Sequence, residues 1–264
     1  MKNFIAAIGI LITSKLIIVG ELTVFSFKVL QQSVTPPFNF KLIKEQINEE
    51  GFKSLSIVIL SALAIGMVMI LQLAFSFKKF GAKALVGPVV SLAIVRELGP
   101  IITSLLVGAR VGSGITAEIG SMQVTEQIDA MRTLGADPIK KLVVPRFIAA
   151  IISFPFLTIV ADFAGITGAL IMTNLELGVT PLQFIEGTIL EVTMTDFLTG
   201  VLKTVFFGII TAIIGCFVGM RAQGGTQGVG RATTTTVVIS LILIIISDFF
   251  LTKLFLIIWP EGGS

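Results

Sequence analysis

The chain has 264 residues, 54% of them hydrophobic and only 13% charged, with a mean hydropathy of +1.00. Soluble domains carry about 25% charged residues, so lipid rather than water is the solvent for most of this chain. A net charge of +3 is too small for a nucleic-acid footprint; without histidine, and with Cys216 as its one cysteine, the chain has no Ser-His-Asp or Cys-His catalysis, Cys/His zinc site or intrachain disulfide.

Residues 4–30 are apolar but punctuated by Lys15, Glu21 and Lys28. That pattern fits a helix lying in the membrane interface, with its lysines snorkelling to water, better than a full span. The basic start also resembles a signal peptide, but no A-x-A-like cleavage site follows and Lys15 interrupts the run. Pro36-Pro37 closes this segment, and PFNFKLIKEQINEEGFK reads as a polar connector. Five stretches are then long and apolar enough to cross a ~30 Å hydrocarbon core: residues 55–77, 84–109, 142–172, 198–220 and 237–258. Cys216, within the fourth, reads as a small buried hydrophobe. No internal repeat or low-complexity tract interrupts them. The expected fold is an all-α integral membrane protein: an N-terminal interfacial helix and connector over 1–53, and a five-span domain over 54–264.

Orientation follows from the basic residues. Segments 1–54, 110–146 and 220–236 hold thirteen Lys and Arg, whereas the segments on the other side hold four. The excess places the N-terminus in the cytoplasm and the C-terminus outside. Residues 173–197, read as an external loop, carry Glu176, Glu186, Glu191 and Asp196 and no base.

The second span, VVSLAIVRELGPIITSLLVGA, places Arg96 and Glu97 about 20 Å from its start, near mid-membrane. Insertion of each charge there costs roughly 2.5–3.5 kcal/mol. Neighbours in sequence point about 100° apart on a helix, so each needs its own partner or a wet cavity. Pro100 lacks the N–H that would bond the carbonyl of Arg96, leaving that acceptor free at the same depth. Irregular backbone of this kind is tolerated only against protein or water. Lys203, in the fourth span, is the expected partner of Glu97; Asp162 and Asp248, in the third and fifth, are the two candidates for Arg96. In the first span Met69, Leu73, Phe77 and Phe80 recur at i, i+4, i+8 and i+11, an apolar stripe suited either to acyl chains or to ordinary helix packing. Gly66, Gly108, Gly112, Gly114, Gly165 and Gly168 allow close helix approach.

Between the second and third spans, Val124, Ile128, Met131 and Leu134 fall at helical spacing and predict a short amphipathic helix over 121–134. Gly135 suits its stop, and Asp137-Pro138 reads as an N-cap with proline at the first position of the next helix. Such a helix serves either as a docking element for a cytoplasmic partner or as a surface helix on headgroups. The phosphate-binding pattern GxxxxGK[ST] is absent; GGTQGVGRATTTT has arginine and alanine where Lys-Ser/Thr is needed.

The run VRELGPIITSLLVGARVGSGITAEIGSMQVTEQIDAMRTLGADPIKKLVVPR closely resembles the MlaE-type permeases of lipid-transporting ABC systems, as do FPFLTIVADFAGITGA and GVGRATTTTVVISLILIIISDFFLT. The resemblance covers residues 54–252 in order. It implies a homodimeric permease of the bacterial inner membrane, bound to a cytoplasmic ABC ATPase dimer and served by a periplasmic Mce-type lipid-binding protein, that moves phospholipid between membranes. No cofactor is expected in this chain, since ATP would be bound by the partner subunit. The resemblance places Glu126, Gln127, Asp129, Ala130, Met131 and Gly135 in the helix that meets the ATPase. It also places Arg96, Glu97 and Lys203, with Leu98 beside them, in a polar cluster near the lipid pathway, whose apolar wall would include the Met69–Phe80 stripe. Two other classes fit the residues alone. One is an ion- or proton-coupled carrier using the intramembrane acids, which often shows half-chain repeats not found here; the other is a membrane scaffold whose buried charges only hold helices together.

Overall fold

Span-forming sequences fold into helices because hydrocarbon offers no partner for an unpaired backbone group. The computed structural model describes the backbone of residues 2–259 and the side chains of residue 13 and residues 16–259. Lys15, expected to snorkel, therefore lies outside the described side chains. The described residues form ten α-helices and no strand. All five expected spans are helical, and each runs past its expected range at one end or both. The first is α3 (Leu55–Lys79); the fourth and fifth are α9 (Met194–Gly219) and α10 (Gly225–Ile258). The second consists of α4 (Val86–Ala93) and α5 (Gly99–Val124), joined by a π turn over Ile94–Leu98. The third begins with another π turn, Ile139–Val143, and continues as α7 (Val144–Leu177). Both π turns end two residues before a proline, Pro100 or Pro145, whose missing N–H removes one regular rung.

The N-terminal helix α1 (Lys2–Val34) was expected to lie on the surface; over Leu16–Val34 it is also long and apolar enough to cross, although it is the least apolar of the six such helices among the described residues. Two expected loops are helical. The connector contains α2 (Phe40–Glu50), capped by Asn39, whose side chain accepts from the Leu42 N–H. The acidic 173–197 segment contains α8 (Pro181–Glu191), started by a Thr180/Gln183 capping box with Pro181 in the first turn. A second box, Thr193 with Asp196, starts α9. The short helix after the second span is α6 (Gln127–Thr133), shorter than the expected 121–134. Residues 121–124 complete α5, and a left-handed Glu126 (φ 60°) breaks the chain between the two. Gly135 stops α6 at φ 74°, and Asp137 accepts the Ile139 N–H at 2.9 Å, both as the sequence indicates.

Helix α3 lies along α7, while α5 packs against both α9 and α10. Without a hydrophobic drive between helices in lipid, close backbone approach supplies the packing. Gly66 and Gly168 make the α3–α7 approach possible: a methyl group on either would overlap backbone of the facing helix, at Gly165 and Leu63 respectively. Gly108 and Gly112 face α9 and α10, but Gly114 looks onto open space and supports no contact. Phe147, Phe154 and Leu157 of α7 meet Val107 of α5 and Phe207 and Cys216 of α9 in the main core. Thr116 joins three helices, donating to Gly215 O at 3.0 Å and sharing a 2.7 Å hydrogen bond with the Thr236 hydroxyl. A second cluster, with Ile70, Val86, Val90 and Phe184, seats α8 over α3 and α4.

Gly168→Ala is expected to destabilise the protein by about 1–3 kcal/mol through overpacking, whereas Gly114→Ala is expected to be neutral or slightly stabilising. Thermal unfolding midpoints in one detergent decide it, and equal midpoints for the two variants would refute the close α3–α7 approach.

Candidate functional site

The π turn at Ile94–Leu98 organises the polar centre of the molecule. Arg96 and Glu97 leave it in different directions, and both reach α9. Lys203 is 2% exposed, and its ammonium donates to Glu97 Oε1 at 2.7 Å, to the Thr252 hydroxyl at 2.7 Å and to the carbonyl of Arg96 at 3.1 Å. An ammonium has three protons to donate, so this set satisfies it. Thr252 in turn donates to Glu97 Oε1 at 3.0 Å. The acceptor that Pro100 leaves free is thus taken by the lysine of the fourth span, and the expected Glu97–Lys203 pair forms.

Arg96 pairs with neither expected acid. Its Nε donates to Asp196 Oδ1 at 2.6 Å. Asp248 instead lies beside Lys203, with Oδ1 3.5 Å from the ammonium. Asp162 is buried against Gly99 on the far side of the turn, and neither of its oxygens has a hydrogen-bond partner among the described residues. The reason is helical phase. Asp196 and Lys203 are seven residues apart on α9 and so share one face, where Gly200 lies between them. A methyl group on Gly200 would strike the carbonyl of Val95 and approach Pro100 to 3.3 Å. The stripe Asp196–Gly200–Lys203 therefore presents an acid, a gap and a base to the π turn. Asp196 was hidden by its place in an apparent loop: its other oxygen caps α9, accepting the Thr193 N–H at 2.9 Å and hydroxyl at 2.7 Å. The i, i+4, i+7 spacing and the T-x-x-D box were the available signals.

The cluster is not closed on all sides. The Lys203 side chain is 3% exposed, but that of Glu97 is 39% and that of Arg96 32% exposed. Leu98 lines an adjoining apolar crevice with Ile65 of α3, Ile102 of α5 and Ala161 of α7. Met69, Leu73 and Phe77 are half-buried against the second core cluster, while Phe80 follows the end of α3 and is 84% exposed. The structure thus brings Arg96, Glu97, Lys203 and Asp248 together and leaves that stripe apart from them.

At the far end of α5, Glu126, Gln127, Asp129, Ala130 and Gly135 are exposed, Met131 is half-buried, and Ile128 is buried beneath them. Leu134 stands at the tip, 84% exposed. The arms bracketing α6 are tied by residues that patterning did not single out: buried Arg146 of α7 pairs with Glu118 of α5 at 2.6 Å, and Arg110 of α5 donates to Ser54 Oγ at 2.6 Å. No group of three or more metal-ligating side chains occurs among the described residues.

Known proteins resemble this chain over most of its length. The Permease MlaE family profile matches residues 43–254. A probable ABC transporter permease protein of Rickettsia felis is 41% identical over 237 residues, which cover 90% of this chain and 92% of the relative. A probable ABC transporter permease protein of Synechocystis is 42% identical over 80% of each chain. The chloroplastic protein trigalactosyldiacylglycerol 1 of Arabidopsis thaliana is 37% identical over 80% of this chain and 60% of its own length.

Lys203→Met leaves Glu97 and Asp248 without their cation and is expected to destabilise the protein by about 3 kcal/mol, the low end for a broken buried pair because Glu97 is partly open. The double variant Lys203→Met/Glu97→Gln is expected to recover part of that loss. Thermal melts of the two variants test this, and a single variant as stable as the parent chain would sink the ammonium's structural role.

Proposed function

This chain belongs to the MlaE permease family and is the permease subunit of an ABC transporter; from that premise we propose that it moves phospholipid between membranes, driven by separate cytoplasmic ATPase subunits that grip α6. The observation that carries the reading is the partial exposure of Arg96 and Glu97 beside a sealed Lys203. Charges that only hold helices together are best closed off, because a charge facing hydrocarbon is expensive. Charges left open at mid-span instead face a wet cavity able to hold a polar headgroup. The name of the chloroplast relative includes a diacylglycerol-based galactolipid, which is in keeping with a lipid cargo though not with its phosphate.

In this reading Arg96 meets the lipid phosphate, while Glu97, held by Lys203 and Thr252, sets the opposite sign beside it. A second copy of the chain covers the apolar outer face of α10, where Ile242, Ile246 and Phe249 are about half exposed or more and only Thr236, Ser240 and Ile244 form a buried stripe along the span. The N-terminus and α6 lie in the cytoplasm of a bacterial inner membrane, as the basic residues indicate, and an Mce-type partner receives or supplies lipid on the periplasmic side. Helix α5 transmits the stroke: its 26 residues run about 39 Å without interruption from the α6 break to the π turn. The Arg146–Glu118 tie keeps α5 and α7 moving together.

Purification from native membranes is expected to recover the chain as a dimer with an ATPase and bound phospholipid; a bare monomer carrying neither overturns the reading, as does ATP-independent transport by this chain alone in vesicles. Within the complex, Leu134→Asp is expected to leave the melting midpoint unchanged, since the side chain is exposed, yet to reduce ATPase association and ATP-driven lipid transfer at least tenfold, roughly the loss of one well-buried contact. Unimpaired association and transfer would place docking elsewhere.

A further inference from the structure

At the α6 end of the molecule, away from the Lys203 cluster, α1 lies against the start of the third span and the end of α9, and with Arg132 of α6 these line an open pocket of about 610 Å³. Its wall is apolar: Val24 and Phe25 of α1 face Phe217 of α9, and the two phenylalanine rings lie 5.6 Å apart. Its rim is charged. Arg221 stacks over the Phe217 ring at 4.3 Å and pairs with Glu21, and Arg132 pairs with Asp129 at 2.8 Å. That leaves one base and one acid on the rim, Lys28 and Asp137, with no ion-pair partner among the described residues. Asp137 accepts only neutral donors, from the Ile139 backbone and the Gln32 side chain.

We propose that this cavity binds one zwitterionic aminophospholipid, its phosphate at Lys28 and Arg132, its ammonium at Asp137, and its acyl chains along Val24, Phe25 and Phe217. Three properties point to that class together. The volume falls within the range of about 300–1,000 Å³ usual for small-molecule sites. The apolar wall and the charged rim adjoin, as the two ends of a lipid require. The uncompensated charges on the rim are of both signs, which a purely anionic headgroup does not match. Occupancy would bridge α1, the short helix α6 and the end of α9, so the lipid serves as a fixed strap rather than as cargo. The site shares no residue with the mid-span cluster and does not depend on the transport reading.

Cys216 is fully buried, so a cysteine placed at Val24 is the one reactive thiol and carries a bimane label. Delipidated full-length protein in detergent is titrated with brominated phosphatidylethanolamine, and quenching is expected to saturate. Lys28→Glu is expected to raise the half-quenching concentration about fivefold or more, the loss of one basic contact, and Lys28→Arg to restore it. Brominated phosphatidylglycerol is expected to quench less effectively, and Asp137→Asn, which can still accept the Ile139 N–H at the start of the third span, to remove that preference. Identical quenching in all variants would mean unspecific boundary lipid and overturn the proposal. Equal protection by soluble phosphoethanolamine would overturn the part assigned to the acyl chains.

Discussion

One ammonium group sets the geometry of the membrane-embedded part. Lys203 sits where water cannot solvate it, and its three protons must each find an oxygen. Those oxygens come from three sources: a carboxylate and a backbone carbonyl of the second span, and a hydroxyl of the fifth. Spans two, four and five are therefore fixed in depth and rotation at that level. The surrounding irregularities serve the same end. Pro100 leaves a carbonyl without its helical donor, the π turn aims it, and Gly200 lets α9 come close enough for the lysine to reach it.

How much of this was legible in the sequence varies by kind of signal. Chemistry that is locally forced was readable: a proline four residues after Arg96 must leave that carbonyl without its helical donor, and a charge near mid-span must find a partner or a wet cavity. Glu97 and Lys203 follow from those statements, and so do the cap at Asp137 and the stop at Gly135. The partner of Arg96 did not follow, because it depends on phase between two helices. Asp162 and Asp248 lie inside apolar runs and drew attention as buried acids, whereas Asp196 lies at a helix start whose capping box resembled loop sequence. The same boxes at Thr180 and Thr193 show why residues 173–197 looked unstructured: cap residues are polar and interrupt an apolar pattern while beginning a helix. The limits of α6 were missed for the opposite reason. Apolar periodicity runs on from α5, and only a single left-handed residue, Glu126, separates the two helices.

The two ends of the molecule solve the burial of charge differently. At mid-span the charges are few, and the buried Lys203 among them is held by three hydrogen bonds. At the α6 end they are many, and pairs such as Arg132–Asp129 and Arg221–Glu21 remain half in water, where each contributes little to stability. The first arrangement favours one fixed geometry; the second tolerates exchange of partners, as a surface that meets other molecules requires.

The π turn has a consequence for how the second span can change. A π turn holds one more residue than an α turn, so removing any one residue from Ile94–Leu98 would leave a perfectly good apolar helix of nearly the same length. Because the extra residue is taken up within the turn itself, α4 and α5 would keep nearly the same phase relative to each other. The faces that meet α7 and α8, and those that meet α9 and α10, would stay in place, while the turn that aims the Arg96 carbonyl at Lys203 would be lost. Such a deletion would spare both the hydropathy of the span and its packing, so its cost would fall on the polar centre alone.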